Sequence, residues 1–469
     1  MAKYNYDLLS VHTKNNGKNR LIAEGALANQ GVDVLKRYSL AGTVLGMLAR
    51  LKSSKEINLL SLEFEVDTDK GLLSCQAKGR MSSLVAKELE KFRDRVQVLG
   101  RPIAVREGGF VYNLYQPPIP SQRFINSMSR LVVQGRELIR PATCTLQVTT
   151  KCQLNCYHCS AARYKTDRRT ELTAEEMKSV IRQAEALGCF NIVFTGGEPL
   201  LRRDIFELIS FINRDRAHPS MFTNGLLLTE ENISHLCDAG LHSVMVSLDD
   251  PRSHVHDELR RIPGGFDKAV AGITRALEAG ILVGISTYAG PEDVREGRVK
   301  QMIELGKKLG VHEVTIFDIV PTGKLLQSQE EQLLSAEDKR QLIEMEREYN
   351  TMEGYPHIIT QALVNGPEGS GCFGGFSQFY MTAYGDIDPC DFTPLTFGNI
   401  RDEALEDIWQ RMLTHPAYAQ RCNHCRMQDP AFRSLYIDSI PEDVLLPWPA
   451  FDELMNRPNS PMSACTAIR

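Results

Sequence analysis

The chain has 469 residues, 42% hydrophobic and 24% charged, with a formal net charge of −5. That length excludes one ordinary core and implies two to four units at roughly 150 residues each. The charge leaves no basic footprint for nucleic acid, no Lys/Arg cluster marks a membrane anchor, and no run of about 18 apolar residues occurs.

The first twenty residues, MAKYNYDLLSVHTKNNGKNR, lack the apolar stretch of a signal peptide. The expected location is therefore the cytoplasm, with no transmembrane segment. There the twelve cysteines read as metal ligands or buried small hydrophobes rather than disulfides. Small molecules or peptides, not nucleic acid, are the expected partners.

Residues 1–120 read as an N-terminal α+β domain. A helical region is expected at about 22–52, then a hairpin, INLLSLEFEVDTDKGLLSCQAKG (57–79), turning at DTDKG, then a charged helix over 82–100. The Pro-rich YQPPIPSQRF (115–124) reads as a linker, and 121–140 as the connection to the second domain.

From Thr145 the pattern changes to β-branched runs alternating with amphipathic helical stretches. Strands are expected at 145–149, 191–195, 220–224, 243–248, 282–287 and 313–320. Helices are expected at 173–188, 203–214, 229–240, 266–280 and 295–310. Four of these five helical stretches end at a Gly, and Thr173 and Thr229 are suitable N-caps. Six such units form a partial (βα)6 TIM-like barrel over 141–325, an α/β fold. Right-handed crossovers gather the strands' C-terminal ends on one face, where chemistry is expected. A helix at 335–352 belongs to a helical connection, 326–365. Beyond GPEGSG, residues 366–430 bear four cysteines, and 431–469 form a tail.

Two motifs directly succeed strands. KCQLNCYHC after the first strand spaces Cys152, Cys156 and Cys159 as C-x3-C-x2-C, and GGEP (196–199) comes after the second. The triplet admits three readings. Positions i, i+4 and i+7 share a helical face and would suit a core, although QLN and YH match a core helix poorly. Zinc would want a fourth ligand nearby. A four-iron cube accepts three thiolates and leaves one iron open to another ligand.

With Tyr157 just before the last cysteine, this triplet resembles the signature of radical S-adenosylmethionine (AdoMet) enzymes, over roughly 141–325. The resemblance implies that the open iron binds AdoMet and that electron transfer yields a 5′-deoxyadenosyl radical, which abstracts hydrogen from a substrate. GGEP resembles the family's methionine-contacting motif, implying that Gly196, Gly197 and Glu198, with Pro199, form the AdoMet amino site. SLD (247–249) and HDELRRIPGGF (256–266) resemble further family elements, which implies that Ser247 lies near the ribose or carboxylate. VPTGK (320–324) resembles a loop near the adenine.

Cys372, Cys390, Cys422 and Cys425 could by spacing hold zinc. The family's C-x9–15-G-x4-C element, here with Gly385 and the AYGDI turn, followed by a distant C-x2-C, implies instead a twitch domain. This is the shortened form of SPASM and holds one auxiliary [4Fe–4S] cluster. Cys465, near the C-terminus, is expected to be a disordered thiol, with a substitute cluster ligand as the alternative, and FGNIRDEALEDIWQRM (397–412) implies a helix packed on the barrel. His424 is expected to face solvent, and His254 and His256 to lie in a loop. Cys75, Cys144, Cys189 and Cys237 are expected to be buried structural thiols.

The expected function is hydrogen abstraction followed by oxidation or cross-linking of a peptide or small metabolite, aided by the auxiliary cluster and supplied by a flavodoxin- or ferredoxin-type donor. Alternatives are redox-neutral modification of a lipid or tetrapyrrole, or a non-catalytic electron carrier. No motif names a catalytic base. Tyr380, Tyr384, Asp386 and Asp388 lie between auxiliary cysteines without an assigned role.

Overall fold

The structure is a computed structural model that describes residues 9–15, 20–27, 61–67, 72–78, single positions between 83 and 100, 101–107, 109–119, 121, 123–124, 139–162, 169–327, 333–441 and 444–450. It divides into one unit of residues 1–139 with 214–217, and a second of 140–213 with 218–469.

In the first unit, strands β1 (Leu9–Asn15), β2 (Arg20–Leu27), β3 (Ser61–Asp67) and β4 (Leu72–Lys78) form an antiparallel sheet in the order β1-β2-β3-β4. The β3–β4 pair is the expected hairpin, closing at Asp67 and Leu72. Residues 22–27, expected to be helical, belong instead to β2. Their backbone is laddered on both sides, to β1 and β3, and such pairing overrides the helix preference of Leu, Ala and Glu. The rest of that expected helix, 28–52, lies outside the described residues. Positions 83, 86, 90, 93, 94 and 96 of the charged helix are helical. A short hairpin, β5 (Ala104–Arg106) and β6 (Gly109–Val111), comes next. The segment expected as a linker is packed there. Ile119 exchanges two backbone hydrogen bonds of 2.8 Å with Phe110, and both Ile119 and Phe124 are buried.

The second unit is built on a nine-stranded sheet. Its elements are β7 (Thr143–Gln147), α1 (Ala174–Leu187), β8 (Asn191–Thr195), α2 (Ile205–Phe211), β9 (His218–Thr223), α3 (Glu230–Asp238), β10 (Ser243–Ser247), α4 (Ser253–Arg260), α5 (Gly265–Glu278), β11 (Leu282–Ala289), α6 (Pro291–Arg295), α7 (Arg298–Leu309) and β12 (Glu313–Asp318). Then come α8 (Ala336–Thr351), β13 (His357–Thr360), α9 (Gln361–Val364), β14 (Gln378–Met381) and β15 (Ile387–Asp388). The order is β13-β12-β11-β10-β9-β8-β7-β14-β15, parallel from β13 to β14 with β15 antiparallel.

The six expected strands are therefore present, in sequence order, with ends shifted by up to two residues. Helix termini obey the expected chemistry. Thr173 forms a capping box with Glu176, Thr229 accepts from Asn232 N, and Gly188 closes α1 at φ 95°. Three strands were not expected. HIIT, reached from β12 through α8, and QFYM are runs of four residues, too short to show a periodic pattern, and β14 pairs with β7 from 235 positions away (Gln378 with Thr143).

The sheet's faces are set by packing. A Cβ on Gly306 of α7 would lie 2.7 Å from Val314 Cγ2, so Val314 and Ile316 face the helices. Alternation then turns Glu313, Thr315 and Phe317 to the concave side. At the open edge, α10 (Leu405–Thr414) packs as expected. Leu405 N donates to Gln183 Oε1 on α1 at 2.9 Å, and the fully buried Trp409 ring lies 6.2 Å from Phe379 of β14. No helix among the described residues is long and apolar enough to cross a membrane.

Candidate active site

The three cysteines occupy an irregular loop after β7. No α-helix runs through 151–162, so the helical-face core reading does not hold. All three thiols are half-buried, and each of Cys152 and Cys159 is close enough to disfavour a second negative charge at Cys156. Leu154 N donates to Cys152 Sγ at 3.4 Å. Among the described residues, no three His, Cys, Asp or Glu side chains converge tightly enough to hold a single ion, which is what a structural zinc site needs.

Two other segments clamp this loop. Gly197 N donates to Thr149 O at 2.7 Å and Glu198 N to Lys151 O at 2.8 Å, so GGEP runs beside the backbone entering Cys152. A Cβ on Gly197 would lie 2.1 Å from Lys151 O and one on Gly196 2.7 Å from Thr149 O; the close approach is what demands glycine. On the other side, Gly323 has φ +51°, and its Cβ would lie 2.2 Å from Cys159 O. Lys324 Nζ donates to Asn155 Oδ1 and to Cys156 O, both at 2.6 Å. VPTGK thus grips the cysteine loop, a role the sequence did not signal.

Glu198 is fully buried. Its Oε1 accepts from Thr223 Oγ1 at 2.8 Å and Leu200 N at 3.2 Å, and its Oε2 from Asn224 N at 2.9 Å. Burial raises its pKa, and these donors oppose the rise. The carboxylate therefore ties the C-terminal ends of β8 and β9 together. Among the described residues, no backbone N–H is bonded to the carbonyls of Gly196 or Gly197. Pro199 is buried at the start of the next turn, and Ser247 ends β10, half-buried beside Ser286 of β11.

The Tyr157 hydroxyl donates to that of Tyr288 at 2.8 Å, and its ring meets His158 edge-on. His254 and His256 lie on α4 rather than in a loop. His254 is exposed, while His256 is buried and accepts at Nδ1 from Asp249 N. Two positions apart on a helix, they point to different sides and form no metal pair.

The auxiliary cysteines gather at the sheet's two edges, Cys372 beyond β13 and Cys390 beyond β15. Cys372 N donates to Cys422 O at 2.7 Å, and the Cys372 thiol is near enough to raise the pKa of both Cys390 and Cys425. Burial is the larger cause, pushing Cys425 up to about 12. Buried thiols of this kind ionise only beside a strong positive charge, which a bound metal centre supplies, so the donor set fits an iron–sulfur cluster. The triplet fits likewise, with Cys156 pushed up to about 11 by burial. The expected turn is present: Gly385 has φ +94° and its N–H donates to Thr382 O. His424 does not simply face solvent, because its ring lies 3.4 Å from Cys422 Sγ and 2.8 Å from Asp429 Oδ2. Cys144 and Cys189 are buried as expected, Cys75 is half-buried and Cys237 is exposed. Cys465 lies outside the described residues.

A line of half-buried aromatic rings reaches from the concave interior to the loop after Cys390. Phe222 of β9 and Phe317 of β12 have centroids 6.4 Å apart although β10 and β11 separate their strands, so they meet across the concave interior. Phe392, two residues past Cys390, lies 6.4 Å from Phe317. Asp391 accepts from Gln378 Nε2 at 3.3 Å and its pKa is raised by burial. Tyr380, buried on the same face as Thr145, feels Asp391, Asp388 and Cys159. Sequence reading left Phe222, Phe317, Phe392 and Asp391 unremarked, because only folding brings their distant strands together.

A model of the radical SAM superfamily matches residues 146–306, and one of an iron–sulfur cluster-binding domain, SPASM, matches 372–426, ending one residue past Cys425. An AdoMet-dependent heme synthase of Methanosarcina barkeri is 29% identical over 66% of this chain and 97% of its own. A PqqA peptide cyclase of Rhizobium meliloti is 26% identical over 60% of this chain and 76% of its own. Among solved structures, Streptococcus suis SuiB bound to precursor peptide SuiA superposes with a TM-score of 0.52 at 16% identity, covering 76% of this chain and 86% of that one, a likeness of fold. Together with the clamped thiol triplet and the buried second group, these matches make the chain an enzyme of the radical SAM superfamily, with a [4Fe–4S] cluster and AdoMet in its barrel and an auxiliary iron–sulfur cluster in a C-terminal SPASM/twitch-type domain.

Proposed function

We propose that this enzyme oxidises a peptide or small molecule whose apolar group seats on Phe222, Phe317 and Phe392, between the cluster at Cys152, Cys156 and Cys159 and the auxiliary cluster at Cys372, Cys390, Cys422 and Cys425. The observation that carries the reading is the continuous aromatic line from the barrel interior to the auxiliary loop. When bound, the cluster and AdoMet supply a 5′-deoxyadenosyl radical that takes a hydrogen atom from the substrate. The Gly196 and Gly197 carbonyls would accept hydrogen bonds from the AdoMet ammonium, and Ser247 would serve the ribose or carboxylate. Glu198 holds the strand ends that present them.

Oxidation of the substrate radical releases an electron and a proton. The auxiliary thiolates would hold an iron–sulfur cluster, a group that can take up one electron. Asp391, whose proton affinity is raised by burial, is the group placed to take the proton. The substrate thus loses two hydrogens overall. A flavodoxin- or ferredoxin-type protein is the proposed electron source. Peptides are favoured by the names of relatives that act on them, the PqqA peptide cyclase and the SkfB sporulation killing factor maturation protein. A second reading, a tetrapyrrole, is favoured by the heme synthases and by the flat rings of the aromatic line.

The test is anaerobic. Reconstituted, reduced enzyme given AdoMet releases 5′-deoxyadenosine, and Cys156→Ala does not. Peptide and tetrapyrrole fractions that accelerate release identify the class. With such a substrate, Cys372→Ala keeps the cleavage but yields no product lighter by two hydrogens. Normal product from a Cys372→Ala enzyme shown to lack the auxiliary cluster sinks the oxidative reading.

A further inference from the structure

Asp249 lies two residues beyond β10, and its carboxylate is 1% exposed. Arg260, the last residue of α4, grips it in bidentate fashion, Nε to Oδ2 at 2.8 Å and NH2 to Oδ1 at 2.6 Å. Asp249 makes three further contacts, one more to α4 and two to other elements. Its N–H donates to His256 Nδ1 at 3.1 Å, its carbonyl accepts from Arg298 NH1 of α7, and His158 Nε2 of the cysteine loop lies 3.9 Å from Oδ2. The cysteine loop is stitched to the residue before Arg260 as well, with Tyr157 N donating to Leu259 O at 3.3 Å.

Both charges are permanent. Burial disfavours ionisation of Asp249, but Arg260 and His158 outweigh it and hold the carboxyl at about 2. Both also reach the triplet. Tyr157, which directly follows Cys156, is bonded to Leu259 beside Arg260, and His158, which directly precedes Cys159, lies against the Asp249 carboxylate. A buried pair of this kind contributes little stability compared with an apolar replacement, because desolvation offsets its attraction. Its field, in a poorly solvated setting, is nonetheless felt by any neighbouring centre that changes charge.

We infer that the Asp249–Arg260 ion pair sets the reduction potential of the cluster held by Cys152, Cys156 and Cys159, its two members pulling in opposite directions. The inference rests on the reading of the triplet as the cluster's ligands. Reduction adds one electron, from an external donor, to the cluster. The Arg260 charge favours that added electron and the Asp249 charge opposes it, so the intact pair holds a balance. Both are positioning residues. Asp249→Asn leaves the guanidinium unopposed and makes the cluster easier to reduce. Arg260→Gln leaves the carboxylate unopposed and makes it harder.

The experiment is an EPR-monitored redox titration of reconstituted full-length protein, with dithionite or titanium(III) citrate as reductant and no AdoMet present. The triplet's signal is identified by its change when AdoMet is added afterwards, and the auxiliary cluster serves as an internal reference. Asp249→Asn is expected to raise the reduced-to-oxidised ratio at fixed potential on the order of tenfold, about 59 mV for one electron, and Arg260→Gln to lower it similarly. Arg260→Lys, which keeps the charge, and the double change Asp249→Leu with Arg260→Met, which removes both charges, stay near the parent value. Shifts of the same sign in both single variants, or no shift in iron-loaded variants, overturn the inference. If a single variant fails to hold iron, the remaining variants decide: a double variant displaced as far as a single one overturns it too. Failure of the underlying reading looks different, because Cys156→Ala would then retain the AdoMet-responsive signal.

Discussion

Replacing Glu198 by Gln separates two roles for the buried carboxylate of GGEP. Family resemblance implies contact with AdoMet, whereas the structure gives all three of its hydrogen bonds to protein donors: Thr223 Oγ1, Leu200 N and Asn224 N. A Gln side chain does best with its oxygen at the Oε1 position, keeping two of these donors. Its NH2 group then confronts the Asn224 N–H where Oε2 had accepted. One charge-assisted bond is lost and a buried donor is left facing a donor, for a destabilisation of about 2–4 kcal/mol. Chemical denaturation of the apo protein reads this directly, and equilibrium dialysis of the reconstituted protein reads AdoMet affinity. Stability is expected to fall by that amount, with Glu198→Ala losing at least as much. Unchanged stability together with a lost AdoMet affinity would refute the bracing argument and restore the direct contact.

The Gly197→Ala variant places a Cβ 2.1 Å from Lys151 O, so the strand carrying the cysteine loop must retreat by more than an ångström. Two hydrogen bonds go with it, at about 1 kcal/mol each, and a displacement of about 1 Å near the reacting atoms lowers 5′-deoxyadenosine formation about 100-fold; a rate within a few-fold of the parent would contradict it. Stability should also fall in acid. Burial, with Arg260 behind it, lowers the pKa of His256 to about 4, and burial does the same for His415. An unfolded histidine titrates near 6.5, so the contribution is complete above that pH and is lost as pH falls toward 4, reaching about 3 kcal/mol per histidine. Denaturation midpoints at pH 7 and 4.5 should differ less in His256→Gln than in the parent; an equal difference would remove His256 as a cause.

Much of the barrel was legible because it rests on short-range rules. Alternating strand and helix patterns, Thr caps and terminal glycines each act within a few residues, and together they place β7 to β12 and their crossovers. The chemistry of the triplet was legible for a related reason: three thiols within eight positions constrain what they can bind before any folding is known. Residues 22–27 went the other way, because their strand state depends on two partners, β1 and β3, that a local reading does not weigh.

Residue order and spacing were enough to reveal two cysteine groups, the strand ends that carry the first and the class of cofactor such thiols accept. How those groups are held, and which distant side chains meet beside them, depends on the folded sheet. GGEP and VPTGK approach the cysteine loop from the ends of β8 and β12, β14 joins β7 from the far end of the chain, and Phe222, Phe317 and Phe392 meet across the interior. Asp249 and Arg260 likewise pair only because α4 turns back over the end of β10. These contacts depend on the curvature and order of the whole sheet, and the spacing of residues along the chain carries no record of that curvature.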